Sequence, residues 1–300
     1  MRAINSFQYM TAAQVGRLFY PSQHDNNRYA QRRLRRLAEE SYLLRLRELP
    51  TPRLGSAPLV FTLADKGRRF LAARGVPLVS SYYRPSEELA KAWDNPFMEH
   101  TLAAIDVLVA AALLCREHQV TMPRLLNERQ LKRSTIRVQP AGQPDSRPVS
   151  VIPDAWFQLQ STADESPISI ALELDRGTEA QQHWRRKVAS LSAWATGPYR
   201  RAFDTDNITI AVVVPTSRRR DQLREWTRAE LTAAGQAALS DIFLFTQASP
   251  VTTDPAAFFF APLWSTPGDD DPVSLLDSPP QKQASTDDGW WLRPAEREVE

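Results

Sequence analysis

Three carboxylates stand where carboxylates are costly. Asp154 heads the apolar run VIPDAWFQLQ (151–160), and Glu173 and Asp175 lie within IALELD (170–175). Strand interiors bury side chains, and a buried carboxylate needs a cation or hydrogen-bond donors to offset its lost hydration. Residues two apart in a strand share a face, with Cα atoms about 6.5–7 Å apart, so Glu173 and Asp175 are expected side by side. Asp154, following Pro153 on a neighbouring strand, would add a third carboxylate. Oxygen donors converging from adjacent strands suit a hard divalent cation, Mg2+ or Mn2+. Such an ion would hold a scissile phosphate and lower the pKa of an attacking water. The other reading is structural, with the same acids paired to Arg176, Lys187 and backbone donors.

The next helix adds a cation. TEAQ (178–181) has the form of a capping box, with Thr178 as N-cap and Gln181 at N3. Ala180, Trp184, Val188, Leu191 and Ala195 then form the stripe that faces the sheet. Lys187 falls inside it, about 60° from Trp184, and His183 lies on its edge. A lysine on the buried side of a helix needs a partner, and Glu173, Asp175 or a hydrolytic water would serve. Glu99 and Asp106 share a face of the apolar helix 98–118, and the adjoining His100 reads as structural.

The elements that must position these residues are expected to be helix 98–118, a weak strand near 124–131, a loop at 139–148, and strands 149–159 and 168–175. Helix 179–196, strand 208–214, helix 217–235 and strand 241–246 follow. ITIAVVV (208–214) contains the continuous apolar run of a central strand covered on both faces. This order predicts an α/β domain with a mixed sheet.

The N-terminal third is different. TAAQVGRLF (11–19) reads as a helix capped by Thr11, with Ala12, Val15 and Leu18 at helical spacing. After a polar break at 21–26, Ala30, Leu34 and Leu37 share one face of a second helix, while Arg28, Arg32, Arg35 and Arg36 lie roughly opposite, with Arg33 among them. Two strands, YLLRLREL (42–49) and LVFTL (59–63), and a helix ending at Gly75 complete the unit. Helix, turn, arginine-faced helix and hairpin is the pattern of a winged helix-turn-helix, whose second helix enters the major groove. Arg28, Arg32, Arg33, Arg35, Arg36, Arg45 and Arg47 are the expected contacts to double-stranded DNA. A solvated charged face is the plain alternative.

Three hundred residues allow two domains, and 42% hydrophobic with 24% charged residues is a globular composition. The net charge of +2 hides an asymmetry. Residues 1–80 carry 14 Lys/Arg against 5 Asp/Glu, and residues 265–300 carry 3 against 9. A basic head points to a polyanion. The single cysteine, Cys115, rules out an internal disulfide and reads as packing. The longest apolar run, 101–115, is interrupted by Asp106 and falls short of the ~18 residues of a membrane span. With no export signal at the N-terminus, a cytoplasmic protein without membrane contact is expected.

HTLAAIDVLVAA, VIPDAWFQL and ALELDRGTEAQQHWRRKVASLSAW together resemble the replication-relaxation family of bacterial mobile elements, over roughly residues 5–246. The resemblance implies a winged helix followed by a domain similar to the PD-(D/E)XK, or restriction-endonuclease-like, fold. The expected division is 1–78 for the DNA-binding head, 79–97 for a linker, 98–264 for the nuclease-like domain and 265–300 for a disordered acidic tail. Pro153 and Asp154 match the motif's "PD" and Glu173 its second acid. Its lysine position holds Asp175 instead, so Lys187 on the following helix becomes the candidate lysine. Glu99 is the expected first-helix acid, with Glu128 as the alternative. The resemblance also implies a DNA-linked role in plasmid or integrative-element replication, maintenance or transfer, beside a coupling-type or pumping ATPase.

Two functions stand against each other. One is a DNA-binding protein whose second domain cuts or nicks DNA with a divalent metal, through Asp154, Glu173, Asp175, Lys187 and Glu99. The other is a non-catalytic DNA-binding adaptor or transcriptional regulator, with the second domain used for homodimerisation or partner recruitment. In the tail, Trp290, Trp291 and Leu292 form an apolar knot suited to anchoring a partner, against the alternative of an inert tail.

Overall fold

The computed structural model describes residues 1–21, 25–46, 59–79, 98–142, 146–161 and 166–277. These form two compact units, Met1–Leu113 and Leu114–Glu300. The division differs from the expected boundary, since the apolar helix is assigned through Leu113 to the first unit.

The first unit opens with α1 (Arg2–Phe7), β1 (Met10–Thr11), α2 (Ala12–Phe19) and α3 (Asn26–Glu39). β2 (Leu43–Leu46), β3 (Val60–Leu63), α4 (Asp65–Ala72) and the start of α5 (Met98–Glu117) follow. Thr11 caps α2 through a capping box with Gln14, and Asp25 caps α3, so each helix satisfies exposed amides at its start. α2 and α3 meet at Gly16, where a Cβ would stand 2.9 Å from the carbonyl oxygen of Asn26. Ala30 and Leu34 are buried beneath α3. β3 lies between β1 and β2, antiparallel to both.

α5 is buried almost all round. It is the one helix among the described residues long and apolar enough by composition to cross a bilayer, and 72% of that stretch is buried in the protein. Gln14 donates to the Leu102 carbonyl at 2.8 Å and to Asp106 Oδ1 at 3.2 Å, and Arg17 Nη1 donates to the same oxygen at 3.3 Å. Asp106 is therefore a tether to α2. Burial raises its pKa, against the pull of Gln14 and Arg17.

The second unit continues with β4 (Val120–Thr121), β5 (Leu125–Asn127), α6 (Glu128–Arg133), β6 (Ile136–Val138), β7 (Val149–Val151), β8 (Ala155–Ser161) and β9 (Ile168–Leu174). Next come α7 (Gln181–Thr196), α8 (Tyr199–Phe203), β10 (Thr209–Val213), α9 (Ser217–Ala233), a 3-10 turn (Ala237–Ile242), β11 (Phe243–Thr246) and α10 (Pro255–Phe260). The main sheet runs β11-β10-β9-β8, with β4 and β5 both on the far side of β8. β8 is antiparallel to β9 and β5, while β9, β10 and β11 are parallel. The parallel pairs need crossovers, which α7 and α9 supply. The sheet is mixed, as expected. Trp156, Trp184, Trp194, Tyr199, Phe243 and Phe245 fill its core, each under 2% exposed.

Several elements depart from the expected pattern. The weak strand near 124–131 is the short β5 followed by α6, because Asn127 and Gln130 form a capping box that starts a helix. Strand 149–159 is broken at Ile152–Asp154, and its first part pairs with β6 in a separate ribbon. The tail is not disordered from residue 265. Ser265 exchanges backbone hydrogen bonds with Phe245, and the amides of Leu275 and Leu276 donate to Phe259 at 3.1 and 2.9 Å. Arg224 holds Asp270 at 2.9 Å and the Thr266 carbonyl at 2.7 Å. Trp290, Trp291 and Leu292 lie outside the described residues, as do Arg47 and nearly all of the expected linker.

Candidate functional site

The break at Pro153 aims Asp154 at the neighbouring strand. Asp154 N donates to the Leu172 carbonyl at 2.9 Å, and its Oδ2 accepts the Leu174 amide at 2.8 Å. Ala155 pairs with Leu172, so Asp154 comes opposite Glu173 at the edge of the ladder. Glu173 also pairs with Val212 of β10, which places it in the interior of the sheet with a side chain 2% exposed.

Lys187 reaches Glu173 from α7, with Nζ 2.6 Å from Oε2. At that separation the ammonium both neutralises the buried oxygen and donates to it. Burial raises the Glu173 pKa to about 7, with Lys187 pulling it down and Asp154 and Glu179 pushing it up. Burial works against the Lys187 charge, but Glu173, Asp154 and Glu179 together hold its pKa above the ordinary lysine value. One ammonium group thus stands among three carboxylates.

Asp175 is not among them. Arg219 of α9 binds it twice, Nε to Oδ2 at 2.6 Å and Nη2 to Oδ1 at 3.0 Å. The Gly177 amide donates to Oδ2 at 2.9 Å. Gly177 has φ +85°, the left-handed turn that glycine allows. Arg219 Nη2 also takes the Glu179 carbonyl at 2.6 Å. These bonds hold 175–179 as a loop, so α7 starts only at Gln181, and Thr178 is not its cap. Trp184, Val188 and Leu191 form the buried stripe as expected, while Ala180 precedes the helix and is exposed.

The expected three-acid metal set therefore needs correction, because Asp175 is neutralised by a guanidinium. Among the described residues no group of three His, Cys, Asp or Glu is placed to hold an ion. Asp154 and Glu173 are the two residues that could hold a cation, since Mg2+ commonly takes one or two carboxylates together with substrate phosphates, although Lys187 already neutralises Glu173. Glu173 Oε2, which the Lys187 ammonium neutralises, is the atom such an ion would have to share. Glu99 belongs to the first unit and is exposed. Glu128 pairs with Lys132 on its own helix at 2.5 Å. His183 is exposed. Cys115 is buried, and burial raises its thiol pKa.

In the first unit, Arg28, Arg32, Arg33, Arg35, Arg36 and Arg45 are all exposed. Arg36 pairs with Glu40 at 3.0 Å, and Arg33 lies toward the N-terminal amine, whose pKa it helps to lower after the larger effect of burial. Two contributors were missed in the sequence. Arg219 sits in the run SRRRD, which reads as solvated surface, and its only signal is its place in the first turn after a central strand. Tyr29 looks like one more helix residue among arginines.

Residues 1–204 match the replication-relaxation family. The chain belongs to that family, and membership suggests a role in replication or mobile-element function. The match ends just beyond α8, so β10, β11 and Arg219 lie outside it. Neither the curated proteins nor the solved structures gave a match.

Proposed function

We propose that this chain binds double-stranded DNA of a plasmid or integrative element through a winged helix-turn-helix in its first unit, in the cytoplasm where that DNA resides. The carrying observation is α3, which exposes Arg28, Arg32, Arg33, Arg35 and Arg36 with no acid before Glu39. Its opposite side packs down through Ala30 and Leu34, which turns the guanidinium groups to solvent, where they can meet phosphates or guanine edges, Arg36 by exchanging its exposed partner Glu40. β2 and β3 supply the wing, with Arg45 on its exposed side. A coupling-type or pumping ATPase and a second copy of the chain are the proposed partners. The test is duplex binding by the full chain across a salt series. Arg32→Ala with Arg35→Ala should weaken binding and reduce the slope of log K against log salt by about two. An unaltered slope would remove α3 from the interface.

A second reading, that the other unit is PD-(D/E)XK-like and cuts or nicks DNA, is favoured by Glu173, a buried carboxylate beside Asp154 that faces Lys187. The sheet order supports it, with two acids on adjacent strands and a lysine from the crossover helix. Asp154 and Glu173 would hold Mg2+ or Mn2+, which would supply Lewis-acid activation of a phosphate and its attacking water. Lys187, kept protonated by its acidic neighbours, would meet the charge that develops on the phosphate. With either metal, DNA should be nicked or cut, and Asp154→Ala or Glu173→Ala should abolish this. Unchanged cleavage in both variants would exclude the site. DNA binding without cleavage would leave the adaptor or transcriptional-regulator role, with this unit serving dimerisation or recruitment.

A further inference from the structure

Tyr29 stands among the arginines of α3, between Arg36 and Arg33 on the helix surface, and phosphate binding alone does not use it. It is 48% exposed, although a tyrosine usually buries its ring and leaves only the hydroxyl in water. Arg28 precedes it, and Arg32, Arg33 and Arg36 follow at i+3, i+4 and i+7, the positions that crowd one side of a helix. The Arg32 guanidinium carbon lies 6.0 Å from the ring centroid. Beside it is Tyr20, the C-cap residue of α2, with ring centroids 6.2 Å apart and planes inclined at 33°. Phe19, the last residue of α2, is 45% exposed. Large apolar rings are thus turned to solvent where α2 gives way to α3.

Aromatic rings interleaved with guanidinium groups are what unpaired bases stack on while the cations take the backbone. Fully paired bases present only their edges in the grooves, so a ring on the recognition helix finds no π-face in an intact duplex. Shielding of arginine stems would be met equally well by leucine.

We propose that Tyr29, backed by Tyr20, is a stacking platform for an unpaired base, so that the head prefers duplex DNA carrying a melted or looped stretch over fully paired DNA. The inference rests on the reading of α3 as a DNA-contacting helix. Binding of the full chain to a labelled duplex is compared with binding to the same duplex carrying a central unpaired loop. The loop should raise affinity roughly five- to a hundred-fold, the range of one stacked base. Tyr29→Leu should remove that preference and leave duplex binding and its salt slope intact, whereas Tyr29→Phe should keep it. Equal affinity of the native chain for both DNAs, or a preference that survives Tyr29→Leu, would overturn the stacking role and leave α3 as a duplex binder. Failure to bind either DNA would remove the underlying reading as well.

Discussion

Arg219 grips Asp175 through two parallel hydrogen bonds, at 2.6 and 3.0 Å, with both side chains at most 10% exposed. The fork is the geometry that guanidinium and carboxylate favour. It ties the first turn of α9 to the chain leaving β9, and through the Glu179 carbonyl it fixes the loop that leads into α7. Asp175 thereby becomes the brace that sets the neighbouring acid–lysine group. A residue two positions away in sequence has been given a different task.

Removing one partner of such a buried pair strands the other. Arg219→Ala should cost about 3–5 kcal/mol in chemical denaturation, and Arg219→Lys, which lacks the fork, should recover only part of it. A loss below about 1 kcal/mol for Arg219→Ala would show that water reaches Asp175 and that the brace is not needed.

Glu173 links this region to pH. Its folded pKa of about 7 exceeds the ordinary 4.5 because burial disfavours the anion. Between those values the folded chain holds a proton that the unfolded chain has released, so stability is present below 4.5 and falls as pH rises to about 7. Lys187 does not alter this slope, because its raised pKa makes itself felt only above 10.5. Glu173→Gln should remove the slope. Relative to that variant, the native chain should lose on the order of 2–3 kcal/mol across the window, measured by denaturation at a series of pH values. Parallel profiles would mean that Glu173 is ionised throughout.

Much of this arrangement is legible in the residues themselves. The 209–213 strand shows in the unbroken apolar run Ile210–Val214, and the buried side of α7 in Trp184, Val188 and Leu191 at helical spacing. That Lys187 needs an acidic partner follows from its position on that side. The choice between Glu173 and Asp175 is not legible, because it depends on Arg219, which lies 44 residues beyond Asp175 and meets it only once the sheet has formed. Local chemistry also overrides pattern at two helix starts. The bonds of Asp175 delay α7 past Thr178, and the Asn127 capping box ends β5 early.

Gly16 tests the packing that presents α3. A Cβ there would lie 2.9 Å from a backbone oxygen and 3.2 Å from the Asn27 nitrogen, neither of which can swing aside. Gly16→Ala gains helix propensity, but overpacking should outweigh it, with a net loss of about 1–3 kcal/mol. On the proposed DNA-binding role of α3, duplex affinity should fall with stability, since α3 is displaced from α2. A stabilised variant with unchanged DNA binding would show that the two helices separate at no cost.

The acidic C-terminal stretch offers a sharper contrast. A composition rich in Pro, Asp and Ser points to a chain without a core, and substitutions in such a chain change stability by only a few tenths of a kcal/mol. Trp264, Leu275 and Leu276 are nonetheless buried, and Trp264 donates its indole N–H to the Phe258 carbonyl at 2.8 Å. The strip they anchor lies along β11 through the Ser265–Phe245 bridge, covering what would otherwise be a bare strand edge. Trp264→Ala should cost about 3–5 kcal/mol and Leu276→Ala about 2–5 kcal/mol. Both should also increase aggregation in light scattering as the β11 edge is uncovered. Near-zero losses with no aggregation would return Leu276 and its neighbours beyond residue 265 to the role of an inert tail.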